Sequence, residues 1–388
     1  MIITRGYYGA VTSTEVPMSE RSEITLADGV TLHVTVSGPA DAAVTVVLLH
    51  GWCLDRRIWR DQVAALGAMG HKAPRVIAYD TRGHGRSGHL RLGSATLDQL
   101  GDDLAEVLRR FAPTGPVVLA GHSMGGMTIM EFAHRHPDDF AARVAGLLLV
   151  STTAEGHTHT RYGLPPRVAA LLRAGETLGA GVLARSGAWR PHRVMLPALR
   201  PAIQWLLFGD DCAGEALQVT LGGIGRASLR SIGGFRESVG AQQRLDTLAG
   251  LPDVPTTIMV GDRDRLTPTA CAESIAGALP GARLEVLPGA GHMLPLERPD
   301  QVSDALVTIV RRAAREAKRA RRAAGETAAR AVRAAAGETA QAVRSAAGEP
   351  AAQAARGAAG EPAARAARGA KRARRAAGES TTRCRKAA

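Results

Sequence analysis

Six short apolar runs set the tightest limit on how this chain can fold: Val44–Leu49, Val76–Tyr79, Val117–Ala120, Val144–Val150, Thr256–Val260 and Leu284–Leu287. They are aliphatic or β-branched with little alternation, which suits strands covered on both faces, as in a parallel sheet. Helical periods lie between several of them. Leu97, Leu100, Leu104, Val107, Leu108 and Phe111 recur at three- and four-residue spacing and make one apolar stripe. Met127, Met130, Phe132 and Ala133 make a weaker one after Gly126, and Pro268 opens another helix with Thr267 as its predicted cap. Upstream, two alternating runs flank Asp28-Gly29, a short-range hairpin signal. The expected class is therefore α/β: a mostly parallel central sheet with flanking helices, preceded by an N-terminal β-hairpin.

One stretch breaks this rhythm. Residues 153–252 hold helical patches at Arg167–Leu178, Pro197–Phe208 and Asp211–Leu221 and no strand pattern. Too long for a loop, the segment reads as an inserted helical cap. It joins two strand ends, so it is expected over the carboxyl edge of the sheet, where open α/β sheets bind ligands. The remaining organisation is a polar arm (1–21), core in two parts (22–152 and 253–312), and a tail (313–388).

The tail explains the charge. The 388 residues carry a formal +13, which would ordinarily point to a nucleic-acid or membrane partner. Residues 1–310 are nearly neutral at −1, whereas 311–388 carry +14. In the tail Ala-Ala-Gly-Glu recurs at Ala323, Ala335, Ala346, Ala358 and Ala376, and no aromatic residue occurs. Too few apolar side chains are present to offset ordering entropy, so disorder or transient helix is expected. Its basic residues suit non-specific binding to nucleic acid or another anionic surface, without base stacking. No apolar run is long enough for a transmembrane helix, and residues 1–14 lack a secretory pattern. Four scattered cysteines, Cys53, Cys212, Cys271 and Cys384, fit reduced thiols in a cytoplasmic protein.

The chemistry-bearing residues cluster at strand ends. Gly121-His122-Ser123-Met124-Gly125-Gly126 directly follows a buried-strand run and directly precedes a helical one. That setting is what a nucleophile elbow needs: a serine on a tight turn with small neighbours and a helix N-terminus behind it. A nucleophilic serine requires a base, an orienting carboxylate and an oxyanion hole. His292, in Gly289-Ala290-Gly291-His292-Met293, is the candidate base, and Asp264, in the loop before Pro268, the candidate acid. His50-Gly51-Trp52 follows the first of the six runs and offers the Trp52 N–H to pair with that of Met124 as oxyanion donors. His50, Gly51, Cys53, His122 and Met293 are candidates for the pocket wall. His157 and His159 lack a third ligand of metal-site type and read as a polar loop at the cap entry, so neither metal nor cofactor is expected.

In these motifs the chain resembles serine hydrolases of the α/β-hydrolase fold superfamily, of esterase or lipase type, over about residues 22–312. Asp80-Thr81-Arg82-Gly83-His84-Gly85-Arg86-Ser87 is similar to the family's D-x-R-G-x-G-x-S turn. The family's acid precedes a proline by four positions, which matches Asp264 and Pro268 and leaves Asp262 aside. The resemblance implies ester hydrolysis through an acyl-enzyme on Ser123, with thioesterase, lactonase and cofactor-free perhydrolase or haloperoxidase activities sharing the same triad. A slow ligand-binding relative is the alternative of another class. Serine at position 123 and a lone Tyr162 in the cap set the chain apart from the family's epoxide hydrolases. An apolar acyl substrate is expected from Leu171, Leu172, Trp205, Leu206, Leu207 and Phe208, unless these form the cap's own core.

Overall fold

The computed structural model describes residues 20–187, 189 and 195–348. Eight strands form one sheet: β1 (Glu20–Thr25), β2 (Thr31–Ser37), β3 (Thr45–Leu49), β4 (Arg75–Tyr79), β5 (Val117–His122), β6 (Val144–Val150), β7 (Thr256–Gly261) and β8 (Arg283–Leu287). Their order is β1-β2-β4-β3-β5-β6-β7-β8. The β1–β2 and β2–β4 pairs are antiparallel, and all pairs from β4 to β8 are parallel. Each of the six apolar runs lies in a strand, and β3, β5 and β7 are buried along their whole length. The hairpin turn spans five residues rather than two, with Gly29 at φ 84° and Asp28 accepting from the Val30 N–H. The arm expected for 1–21 lies outside the described residues except at Glu20 and Arg21, which already pair with Val36 and Thr35 as the start of β1.

Twelve α-helices are described: α1 (Arg60–Gly67), α2 (Leu97–Phe111), α3 (Met124–Arg135), α4 (Pro137–Arg143), α5 (Pro166–Arg185), α6 (Met195–Leu207), α7 (Gly214–Ile224), α8 (Leu229–Ala241), α9 (Leu245–Ala249), α10 (Thr269–Ala278), α11 (Leu294–Glu297) and α12 (Pro299–Gly348). The stripe on α2 buries Leu97, Leu100, Leu104, Val107 and Leu108, and Thr96 caps the helix by accepting from the Gln99 N–H. One apolar layer lies on each face of the sheet. Val47, Leu49, Leu119, Leu147 and Leu149 belong to the layer with α2, α3 and Ile275 of α10. Val46, Leu48, Ala120, Leu148 and Val150 belong to the layer with Ile58, Trp59 and the start of α12.

Helices α5 to α9 lie between β6 and β7, so the three helical patches are joined by two more, α8 and the short α9, that the sequence pattern leaves unmarked. Two residues expected as apolar cap lining, Leu171 and Leu172, face outward on α5, because their stripe turns away from the cap interior. Helix α10 starts at Thr269 with Pro268 before it, and no side chain caps it. The predicted cap residue, Thr267, is engaged elsewhere.

The chain divides into two compact units, Met1–Ala320 and Arg321–Ala388. In the first, α12 buries Val302, Leu306, Ile309, Val310 and Ala313. In the second, the described residues are helical, and residues 321–342 are exposed. Helix therefore extends over 313–348, where disorder or transient helix was expected. Alanine and arginine are the strongest helix formers, and the i,i+4 pairs Arg312–Glu316 and Arg322–Glu326 add a few tenths of a kcal/mol each, opposing the cost of Gly325 and Gly337. The remaining tail lies outside the described residues.

A buried arginine ties the hairpin, the turn after β4 and α2 together. Arg82 donates through Nε and Nη2 to Asp103 at 2.6 and 2.5 Å, and through Nη1 to Asp28 at 2.6 Å. Arg82→Met should cost about 3–5 kcal/mol in urea unfolding, because it strands the Asp103 carboxylate in the core. Arg82→Met/Asp103→Leu should recover much of that loss, and a double variant as unstable as the single one would contradict this account.

Candidate active site

Ser123 closes β5 and starts α3 with φ 53° and ψ −120°, a backbone conformation that L-residues rarely adopt. Its surroundings hold it there. The Ser123 N–H donates to the Val150 carbonyl at 2.9 Å, and Thr152 Oγ1 donates to the Ser123 carbonyl at 2.7 Å. A Cβ at Gly125 would lie 2.3 Å from the Leu49 carbonyl oxygen, so only glycine lets α3 sit this close to β3. The turn thereby presents Ser123 at the carboxyl edge of the sheet, as the strand–turn–helix pattern predicts.

The loops after β7 and β8 bring up two partners. His292 Nδ1 and Asp264 Oδ2 are 2.8 Å apart, and both residues are buried. Asp264 Oδ1 accepts from the Leu266 and Thr267 N–H groups at 2.9 and 2.8 Å. The Thr267 hydroxyl donates to Asp264 Oδ2 at 2.8 Å and lies 3.3 Å from His292 Nδ1. Burial pushes the Asp264 pKa up, but the His292 charge and the bonds from His292 and Thr267 outweigh it and hold the carboxyl below its ordinary value. With Asp264 ionised, His292 carries its proton on Nδ1 and leaves Nε2 free. Asp262 takes no part in this pair; its Oδ1 accepts from the Gly289 N–H at 2.8 Å.

A half-buried glutamate that the motifs do not mark holds the histidine loop. Glu297 accepts from the Gly209, Gly291 and Met293 N–H groups at 2.8–2.9 Å. Its available signal is an acid four residues after Met293, at the start of a short helix. Thr267 likewise reads only as a cap, since nothing local reveals that its hydroxyl joins the contact between Asp264 and His292.

The loop after β3 is tied from behind by two histidines. The Thr81 N–H donates to His50 Nε2 at 2.9 Å, so His50 Nδ1–H donates to the Gly51 carbonyl at 2.8 Å. The Cys53 N–H donates to His84 Nε2 at 3.1 Å, and His84 Nδ1–H faces the Arg82 carbonyl at 3.0 Å. Cys53 itself has φ 62°. Burial lowers the His50 pKa and takes that of His84 down to about 3, which keeps both rings neutral. His122 donates through Nε2 to the His292 carbonyl at 2.8 Å, and its Nδ1 has no partner among the described residues. Burial, then the His292 charge, take its pKa to about 3. Met124 is the first residue of α3, so its N–H has no acceptor inside the helix.

Ser123, His292, Trp52, Cys53, Met124, Thr267 and Met293 line one cavity of about 590 Å³. Its other walls are mainly cap side chains, among them Leu183, Leu196, Ile203, Leu206, Leu207 and Ile232. Of the five residues expected in the pocket wall, Cys53 and Met293 are there. His50, Gly51 and His122 are buried behind it, because their hydrogen bonds turn them into the loop scaffold. Of the cap residues, Leu206 and Leu207 line the cavity, Phe208 is core, and Trp205 is half exposed beneath the Arg265 guanidinium. His159 pairs with Glu155 at 3.0 Å, a nearby carboxylate that the reading of the histidine pair overlooked. His157 instead receives a hydrogen bond from Arg236. Among the described residues no group of three or more His, Cys, Asp or Glu could hold a metal ion, and no helix is long and apolar enough to cross a membrane.

A strand-capped serine, a histidine–carboxylate pair at neighbouring strand ends and an inserted cap together define a hydrolase of the α/β type. The profile of the "Alpha/beta hydrolase family" matches residues 46–305, and the chain belongs to that family. It is 31% identical over 264 residues to a protein of Variovorax paradoxus (strain S110) named provisionally as carbamate hydrolase RutD, covering 67% of this chain and 89% of that one. It is 30% identical to a non-heme haloperoxidase of Rhodococcus erythropolis, covering 68% and 91%. Among solved structures, a thermophilic esterase from Thermogutta terrifontis superposes with a TM-score of 0.59 at 27% identity, covering 76% of this chain and 99% of that one.

Because folding favours ionised Asp264, its contribution to stability is complete above the unfolded carboxylate pKa, about 4, and fades as pH falls through the lower folded value. Urea unfolding should show wild type more stable than Asp264→Asn at about pH 6, with the gap narrowing towards about pH 2. A gap that widens on acidification would contradict the assigned sign.

Proposed function

We propose that the protein is a serine esterase acting through an acyl-enzyme on Ser123. The observation that carries this is the 2.8 Å His292–Asp264 bond, with His292 and Ser123 lining the same largely apolar cavity. His292 Nε2 takes the Ser123 hydroxyl proton as Oγ attacks the ester carbonyl. The oxyanion is held by the N–H groups of Trp52 and Met124, each such donor being worth roughly 3–4 kcal/mol. Protonated His292 then gives its proton to the departing alkoxide, leaving the acyl group on Ser123. Water attacks next, again losing its proton to His292, and the carboxylic acid and free serine are restored. Asp264 holds the imidazole in the required tautomer and stabilises its charged form.

The three neutral histidines behind the loops support this division of labour. His50, His84 and His122 have both ring nitrogens directed at backbone or buried, and His157 at the cavity is held by Arg236, which leaves carboxylate-paired His292 to move a proton beside Ser123. A second reading rests on relatives named as non-heme haloperoxidase and as bifunctional esterase/perhydrolase. The same acyl-enzyme attacked by hydrogen peroxide in place of water would release a peracid.

Ser123→Ala should lower kcat on p-nitrophenyl esters by up to about six orders of magnitude and abolish labelling by a fluorophosphonate probe. Wild-type protein that neither labels nor cleaves any ester, thioester or lactone of the panel would overturn the hydrolase mechanism.

A further inference from the structure

The cap wall of the cavity is not uniformly apolar. Besides Thr153 and Thr160, the insertion turns His157 and Tyr162 from the segment after β6, Glu176 from α5 and Arg236 from α8 onto it. Arg236 is only 7% exposed. One Nη1–H donates to His157 Nε2, and one Nη2–H donates to Glu176 Oε2 at 2.8 Å. A guanidinium has five N–H donors, and among the described residues no further acceptor meets the other three. Arg236 lines the cavity, so these donors are open to an acceptor that enters with a ligand.

Holding α5 to α8 does not explain the cluster. Those helices already meet at backbone distance, since a Cβ on Gly233 would lie 2.3 Å from the Ala180 carbonyl oxygen. The Tyr162 hydroxyl donates to the same Glu176 Oε2 at 2.7 Å, with Tyr162 held at φ 54°, so its proton is already committed and serves to orient Glu176. Arg236 thus keeps N–H donors for a ligand beyond those that His157 and Glu176 take.

We infer that Arg236 is a specificity-determining residue, selecting substrates whose acyl or alkoxy chain carries a neutral acceptor oxygen (ketone, ether, amide or second ester carbonyl) away from the scissile bond. This rests on the esterase reading of the same cavity and adds to it the substrate class. A neutral oxygen is favoured over a carboxylate because Glu176 already balances the Arg236 charge. An incoming anion would be desolvated in a largely apolar cavity and would stand beside the Glu176 carboxylate already paired to that guanidinium.

The test separates binding from turnover. Three kinds of p-nitrophenyl ligand of equal chain length are used: the octanoate, oxooctanoates with the ketone stepped from the fourth to the seventh carbon, and the monoester of octanedioic acid. Their Kd values are measured by calorimetry on Ser123→Ala, which does not consume them. At least one oxooctanoate should bind about 10- to 100-fold more tightly than octanoate, and the diacid monoester should not. In Ser123→Ala/Arg236→Met/Glu176→Gln, which removes the donors without stranding a charge, the ratio of oxo to plain ester should fall to about one. Should that variant not fold, Arg236→Lys in the Ser123→Ala background keeps the charge but loses the planar fork, and the ratio should fall there as well. Equal binding of all three, preference for the diacid monoester, or a ratio that survives loss of Arg236 would each overturn the inference. Wild-type protein that cleaves none of them while Ser123→Ala still binds the ketone preferentially would instead defeat the esterase reading and leave the subsite standing.

Discussion

The contact on which the site depends is the close approach of α3 to β3 at Gly125. Backbone there meets backbone, with no room for a Cβ beside the Leu49 carbonyl. A helix seated this near the sheet must start abruptly, which forces the residue before it into positive φ. Strain of this kind persists only where the surroundings over-determine it. Here the Val150 carbonyl and the Thr152 hydroxyl clamp Ser123 from both sides of its peptide. The consequence is a hydroxyl raised above the sheet edge with a helix N-terminus behind it, where negative charge is favoured.

Desolvation does the complementary work. Burial removes the charged forms of His50, His84 and His122, turning three titratable rings into fixed hydrogen-bond bridges. Around Asp264 the same burial is overcome by four hydrogen bonds, one of them from His292, and the carboxyl stays ionised. Five loops therefore converge with only one histidine beside the cavity that is paired to a carboxylate. The cap extends this logic with opposite emphasis, placing a guanidinium whose donors exceed its partners against an apolar wall.

Much of this was legible in the residues alone. Six apolar runs became strands, and those in β3, β5 and β7 are covered on both faces as runs without alternation require, whereas the edge strand β8 stays partly exposed. The serine, the aspartate and the histidine were found because each sits in a short, local pattern of glycine, proline and strand end. Asp264 and Asp262 were told apart by spacing from Pro268. What failed was of another kind. Thr267 reads locally as a helix cap, yet its hydroxyl bonds Asp264 and lies beside His292, twenty-five residues further along the chain. Leu171 and Leu172 read as pocket residues, but which stripe of α5 faces inward depends on α8, and α8 carried no clear signal. The repeat tail reads as too poor in apolar residues to order, whereas an exposed helix needs only propensity and local pairing to extend through Gly348.

By itself, then, the order of residues determined the α/β alternation, the site of the nucleophile turn and the chemical types gathered at the strand ends. These depend on contacts within a few positions, where spacing is the geometry. Only the tertiary structure decided which histidines are struts and which one faces the cavity, that Glu297 holds the histidine loop, and that Arg236 meets the substrate space. Those roles arise between elements up to about two hundred residues apart in sequence, and a side chain's surroundings, unlike its identity, are not written locally.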